Sequence, residues 1–276
     1  MDTDPLADSV PPRHAIESDE EEDEYNPLRP QPNLPLAIDV QVVGTVTPVP
    51  VFGLVVATGS IGKYWARGAE LGEQVAAVMV NKIQVGLLFR PSWTQAVVLV
   101  SEVTTRLPLW GMHPYARTVV DALKPKSVTL LDTYAVSAYI SDARIPYLDA
   151  PLRFLATDAP SATITSSAEP FAAPNLVQST SAAFVALRAE HSASATLLLV
   201  PAPHVSPPVP RDLAPSDFSH RNDPAPWAPT PVRTAHALLF AALGEKDTPA
   251  WKEPAPEKPS AGQARKRPDT ELGMYI

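Results

Sequence analysis

A proline cannot donate to a sheet ladder and breaks a helix interior, so neither element propagates where prolines crowd. The chain has 276 residues and 33 of them are proline. They crowd the start (Pro11, Pro12, Pro27, Pro30, Pro32 and Pro35), place ten residues within 201–231, and recur between 245 and 271. Folding is thereby directed to the stretch between Leu36 and Val200, with one short return at His236–Leu243. A hydrophobic content of 45% gives that stretch enough apolar side chain for a core.

Within the stretch, apolar runs of strand length alternate with helical patterns. Ile38–Val46 alternates as a half-buried strand does, and Val51–Thr58 is a stronger strand that ends in the turn Gly59-Ser60-Ile61-Gly62. Leu71, Val75, Val78, Met79 and Lys82 share helical spacing, which predicts a helix over Ala69–Ile83. Strands are expected at Gln84–Phe89 and Gln95–Glu102. An amphipathic helix follows over Pro108–Leu123, with Pro114 near its first turn, and then a strand over Ser127–Tyr134. Thr157–Pro170 is rich in Ser, Thr and Ala and reads as exposed. Asn175–Glu190 reads as a helix, Ala195–Val200 as a strand and His236–Leu243 as a short helix ended by Gly244. This order predicts an α/β fold: a single layered domain with a mostly parallel central sheet flanked by helices. The expected organisation is a disordered acidic arm over 1–35, an α/β body over 36–243 with a proline-rich loop at 201–231, and a flexible tail over 244–276.

Charge separates the arm from the rest. Residues 1–24 carry ten of the 30 acidic side chains and one Arg, and the remaining 252 residues are nearly balanced. Ser18, followed by Asp19, Glu20 and Glu21, has the setting of an acid-directed phosphorylation site, although most such serines are simply solvated. There is no cysteine, which rules out disulfides, thiolate metal sites and cysteine nucleophiles. The start has no basic-then-apolar signal pattern, and no apolar run reaches the roughly 18–20 residues of a bilayer span. The expectation is a soluble intracellular protein that takes neither nucleic acid nor membrane as partner.

The chain's candidates for chemistry are weak. Gly59–Gly62 with Lys63 follows a strand, as a phosphate cradle does, but matches neither dinucleotide nor P-loop spacing, so a strand-to-helix turn is the plainer reading. The six histidines form no zinc-binding pair, and no serine sits in a G-x-S-x-G elbow. Asp132 lies late in a strand, where α/β enzymes place catalytic groups, and can equally cap a turn; Asp142 and Arg144 lie nearby. Arg265-Lys266-Arg267 is a short basic run, most simply a solvated stretch. Trp227 and Trp251 either pin their proline-rich segments to the body or meet a partner. No catalytic residue, cofactor or metal site is expected.

The chain ends in Met274-Tyr275-Ile276. Methionine fills an apolar slot, tyrosine brings a rigid ring with one hydroxyl, and the terminal carboxylate pairs with a lysine or with backbone N–H groups. These three residues are the candidate protein-binding site.

The acidic run Glu17–Glu24, the strand and turn Leu54-Val55-Val56-Ala57-Thr58-Gly59, the stretch Pro174-Asn175-Leu176-Val177 leading into Ser181–Leu187, and this ending together resemble the proteasome assembly chaperone 1 family. That family supplies the larger subunit of the heterodimeric chaperone for the α-ring of the core proteasome. The resemblance covers residues 36–243 loosely and 274–276 sharply. It implies a non-catalytic chaperone in the cytoplasm, or also the nucleus. Its partners would be a smaller chaperone subunit of similar fold and the α-subunits of the core proteasome. The tail would enter a pocket between two α-subunits: Met274 fills the apolar part, Tyr275 sets the turn and the Ile276 carboxylate meets a pocket lysine. No reaction and no cofactor are implied. The absence of cysteine, the proline-rich 201–231 and the long 245–271 depart from the pattern. Two other readings are an α/β hydrolase- or phosphorylase-like enzyme with an atypical site, and a different tail-bearing regulator of the proteasome.

Overall fold

Residues 38–47, 49–141, 143, 145–215 and 227–255 are described by a computed structural model. All belong to the unit that begins at Ile38. The acidic arm, Ser18, Asp142, Arg144, the Arg265–Arg267 run and Met274–Ile276 lie outside these residues.

The apolar runs become the middle of one nine-stranded sheet. β1 is Val40–Gly44, β2 Gly53–Thr58, β3 Gln74–Val80, β4 Ile83–Phe89, β5 Val97–Ser101, β6 Ser127–Ala135, β7 Arg153–Ala156, β8 Glu169–Pro170 and β9 Ala195–Ala202. Their order across the sheet is β1-β3-β4-β5-β2-β6-β9-β7-β8. Every residue of β2, β5 and β9 is buried, because helices cover both faces. The helices are α1 (Gly59–Gly68), α2 (Leu109–Leu123), α3 (Ala162–Ser167), α4 (Thr180–Glu190) and α5 (Pro229–Ala241). Alternate residues of β2 serve the two layers. Leu54 and Val56 pack with Tyr115 and Val119 of α2 and Phe184 of α4. Val55 and Ala57 pack with Ile61 and Trp65 of α1 and Leu239 and Phe240 of α5.

The sheet is mixed, which corrects the expectation of a mostly parallel one. β5, β2, β6 and β9 run parallel to one another and β8 runs parallel to β7. The pairs β1–β3, β3–β4, β4–β5 and β7–β9 are antiparallel. The cause is local. The segment expected as a helix over 69–83 is a strand and a tight turn. Ala76, Val78 and Val80 are buried at period two, and Asn81 and Lys82 both take positive φ, 46° and 66°. Two such residues make the hairpin turn whose twist matches antiparallel strands. The apolar residues of this segment satisfy both periods, and the turn decides between them.

Other boundaries move for physical reasons. α4 begins at Thr180, because Asn175 is held in a loop: its Oδ1 accepts from the Ile140 N–H, and its Nδ2 donates to the Ile140 and Ala172 carbonyls. Pro114 falls in the second turn of α2, where it costs one backbone hydrogen bond. α5 starts at Pro229 rather than His236, since its prolines stand in the first turn, where a missing N–H is harmless. The stretch 157–170 is not wholly exposed: it contains α3, with Ile164 buried, and the residues of β8.

Residues 244–255, expected as the start of a free tail, lie along α1 and α5. Trp251 is 2% exposed and its Nε1 donates to the Trp65 carbonyl at 2.9 Å. The Lys252 N–H donates to the Gly68 carbonyl at 3.0 Å, and a Cβ on Gly68 would run into the Lys252 carbonyl and the Trp251 ring. Glu245 Oε1 accepts from Thr94 Oγ1 and the Gln95 N–H. Trp227 is buried as well, with its ring 6.0 Å from Tyr64. Both tryptophans therefore pin their segments to the body.

His236 joins this strap to the helices. Trp65 Nε1 donates to Nδ1 at 3.1 Å, and Nε2 lies 3.0 Å from the Pro249 carbonyl. The carbonyl can only accept, so Nε2 carries the proton; the indole can only donate, so Nδ1 is bare. The ring is thus held neutral, and burial lowers its pKa below the usual histidine value. Below pH ~6.5 the unfolded chain takes up a proton that the folded chain resists, so stability falls as pH drops through that value. Thermal denaturation should show a lower midpoint at pH 5 than at pH 7. The slope should be shallower in His236→Phe, which keeps the packing against Trp93 and Phe240. Equal slopes would contradict this role.

Candidate functional site

The parallel strands end where open α/β sheets place their ligand sites, beside the strand from which successive connections leave in opposite directions. Here that strand is β2, with β5 on one side and β6 on the other. Polar side chains gather at this edge: Thr58 closes β2, Ser101 closes β5 with Glu102 after it, and Asp132 stands in β6. Ser179, Thr180 and Ser181 enter from the start of α4.

Both oxygens of Asp132 are engaged. Oδ2 accepts from Ser179 Oγ at 2.7 Å and Oδ1 from the Thr133 N–H at 2.7 Å. Ser181 also faces this carboxyl and shares a 3.0 Å hydrogen bond with Thr58 Oγ1. Burial raises the Asp132 pKa, and these hydrogen bonds oppose the rise. Glu102 behaves alike. Burial raises its pKa, the Leu107 N–H donating to Oε1 at 2.6 Å lowers it, and the Asp132 charge raises it. Glu102 sits at φ 55°, in the left-handed region, a strain that this hydrogen bond helps to hold. The Thr180 hydroxyl acts on Glu102 as well, yet it completes no hydrogen bond and is fully buried. Beneath Glu102, Ser101 Oγ donates to the Tyr115 hydroxyl at 2.9 Å, and burial pushes that phenol pKa upward.

The arrangement ties β6 and β2 to α4 through Asp132–Ser179 and Thr58–Ser181, and β5 to α2 through Ser101–Tyr115. Asp132 lies three residues before the end of β6 and bonds the N–H of Thr133 within the same strand, so it caps no turn. The Ser179–Ser181 contribution escaped the sequence because the helix was expected to begin at Asn175. Glu102 carried a signal, an acid directly after an apolar strand, as Asp132 nearly is in β6. The Gly59–Gly62 turn takes its plainer reading: Gly62 lies against the Ala57 carbonyl, where a Cβ would come within 2.6 Å. Glycine is required there by helix-on-strand packing. His236, the buried histidine among the described residues, belongs to the other helical layer. No group of three His, Asp or Glu able to hold a metal occurs among the described residues. Likewise no described helix is long and apolar enough to cross a membrane.

No family model and no curated protein matches the chain. Among solved structures, the chain is similar to PbaA of Pyrococcus furiosus, described as an archaeal homolog of proteasome-assembly chaperone. Identity is 8%, with 76% of this chain and 88% of that one covered, at a TM-score of 0.49. PbaB of the same organism, described as an archaeal proteasome activator, gives 11% identity, 60% and 81% coverage and a TM-score of 0.41. A proteasome-assembly chaperone homologue of Mycobacterium tuberculosis gives 13%, 55% and 75%, and 0.36.

Proposed function

We propose that this protein is a non-catalytic chaperone for the core proteasome α-ring, using Met274-Tyr275-Ile276 as its docking element and its α/β body to bind a smaller chaperone subunit. The observation that carries the reading is the ending itself, which puts an apolar side chain, a tyrosine and a carboxylate on consecutive residues. Two features of the body support it. The polar groups at the strand ends are engaged with one another and with α4. The strap fixes the chain as far as Ala255, whose carbonyl accepts from Arg67 Nη2 at 3.0 Å, so the last 21 residues start from a defined point. The protein would work in the cytoplasm, or also in the nucleus.

Removal of Met274–Ile276, or Tyr275→Ala, should reduce capture of α-subunits at least about tenfold, as loss of an interface hot spot does. The midpoint of thermal denaturation should not move. Pull-down with mass spectrometry reads both the α-subunits and the smaller chaperone subunit. Undiminished capture of α-subunits by the truncated chain would overturn the docking role.

A further inference from the structure

Where β6 and β9 end, a cavity of about 370 Å³ opens among Tyr134, Tyr139, Ile140, Tyr147, Arg153 and Pro203. Ligand pockets run from about 300 to 1,000 Å³, and an apolar cavity of about 150 Å³ already holds a benzene ring. One of its walls is a buried cation. Arg153 is 6% exposed, and its guanidinium lies 3.9 Å from the centre of the Tyr139 ring and 5.6 Å from that of Tyr134. Nη1 donates to the Pro170 carbonyl at 3.1 Å and Nη2 pairs with Glu169 at 3.2 Å. Nε is buried without an acceptor. It is sealed from the cavity, so an entering oxygen would meet Nη2 by exchanging with Glu169. Its side chain is 57% exposed against 7% for Arg153, so it can turn to water while Arg153 stays.

The surroundings ask for an apolar partner. Ile140 is 64% exposed, Leu148 87% and Leu176 80%. Leu148 lies between the cavity residues Tyr147 and Ala150, and Leu176 follows Asn175, which bonds the Ile140 backbone. Exposed apolar side chains of this size flanking a cavity suit a contact site. An occupant with an apolar flank, a ring to lie against the tyrosines and an acceptor oxygen for Nη2 would fit. The chain carries that combination at its own end. The 21 residues from Pro256 to Ile276 reach at most about 70 Å at ~3.3 Å per residue, more than the roughly 40 Å width of nine strands spaced ~4.8 Å apart. Tethering also supplies an effective concentration on the order of millimolar.

We propose that this cavity receives the chain's own C-terminus, with the Tyr275 ring against the tyrosine walls and the Ile276 carboxylate on Arg153, so that the tail is stored in cis until a ring competes for it. This rests on the reading of Met274–Ile276 as a docking element.

The test uses the chain ending at Gly273 and a peptide of sequence Leu-Gly-Met-Tyr-Ile, with titration calorimetry as the readout. The free-acid peptide should bind, and its C-terminal amide should bind about tenfold more weakly. Leu148→Asp, a change at an exposed position that spares folding, should also weaken binding about tenfold. The full-length chain should bind the peptide more weakly than the truncated one, because its own tail holds the cavity. No binding, equal binding to both chains, or binding indifferent to Leu148→Asp would overturn the proposal. The same preparations are tested for capture of α-subunits. Tail-dependent capture without peptide binding sinks this storage site and leaves the docking reading standing. Peptide binding with tail-independent capture does the reverse.

Discussion

Trp251→Ala should lower the thermal midpoint by about 10 °C. The indole is 2% exposed, covers Gly68, stacks 5.5 Å from Tyr64 and donates to the Trp65 carbonyl. Truncating a buried tryptophan costs roughly 3–5 kcal/mol, and about 2–4 °C of midpoint accompanies each kcal/mol in a domain of this size. The exposed Lys252–Glu70 ion pair that remains is worth little and would not hold the strap. Gly68→Ala should act in the same direction by pushing the strap away from α1. Circular dichroism melts check both. A midpoint for Trp251→Ala within 2 °C of the parent would mean that residues 244–255 contribute nothing to the body.

Asp132 gives the second large effect, and its size depends on the replacement. Asp132→Ala leaves the Ser179 hydroxyl and the Thr133 N–H without their acceptor and should cost about 2 kcal/mol, or roughly 4–8 °C. Asp132→Asn keeps the acceptor for Thr133 and offers Ser179 an amide in place of the carboxylate. Burial raises the Asp132 pKa above its unfolded value, so stability is lost as pH rises through the folded value. The neutral amide should therefore cost less than 1 kcal/mol at pH 7 and flatten that part of the pH dependence. Equal losses for Ala and Asn, by chemical denaturation at pH 7, would contradict this account.

How far the sequence could be read follows from what each residue's environment demands. β2, β5 and β9 were legible because strands buried on both faces are apolar along most of their length. α2 was legible because Met112, Tyr115, Val119 and Leu123 keep one face to the core. Strand direction was not, since it depends on which strands become neighbours. The helix expected over 69–83 shows how that arises: a run whose apolar residues fit two periods was settled by the backbone at Asn81 and Lys82. The strap was only half legible, as one of two readings of Trp251, for a related reason. Its composition of Pro, charge and Ala is that of a tether, and one residue, Trp251, meets Gly68 and Trp65 across more than 180 positions of chain. Of the polar cluster, Asp132 was visible as an acid late in a strand. Its partners Ser179 and Ser181 were not, because small hydroxyl residues at a helix start carry no mark of what they face. The cavity around Arg153 left no sequence signal beyond scattered tyrosines.

We propose that the terminal carboxylate of Ile276, positioned by Tyr275, makes the contact with the α-ring. Adding one glycine after Ile276 keeps every side chain and moves the carboxylate by one residue. Affinity of the full chain and of this extended chain for purified α-subunits, measured by surface plasmon resonance, tests the claim directly. A loss of about tenfold or more on extension, matched by Tyr275→Ala, is the result predicted. Unchanged affinity in both variants would contradict it and leave the α/β body as the sole contact.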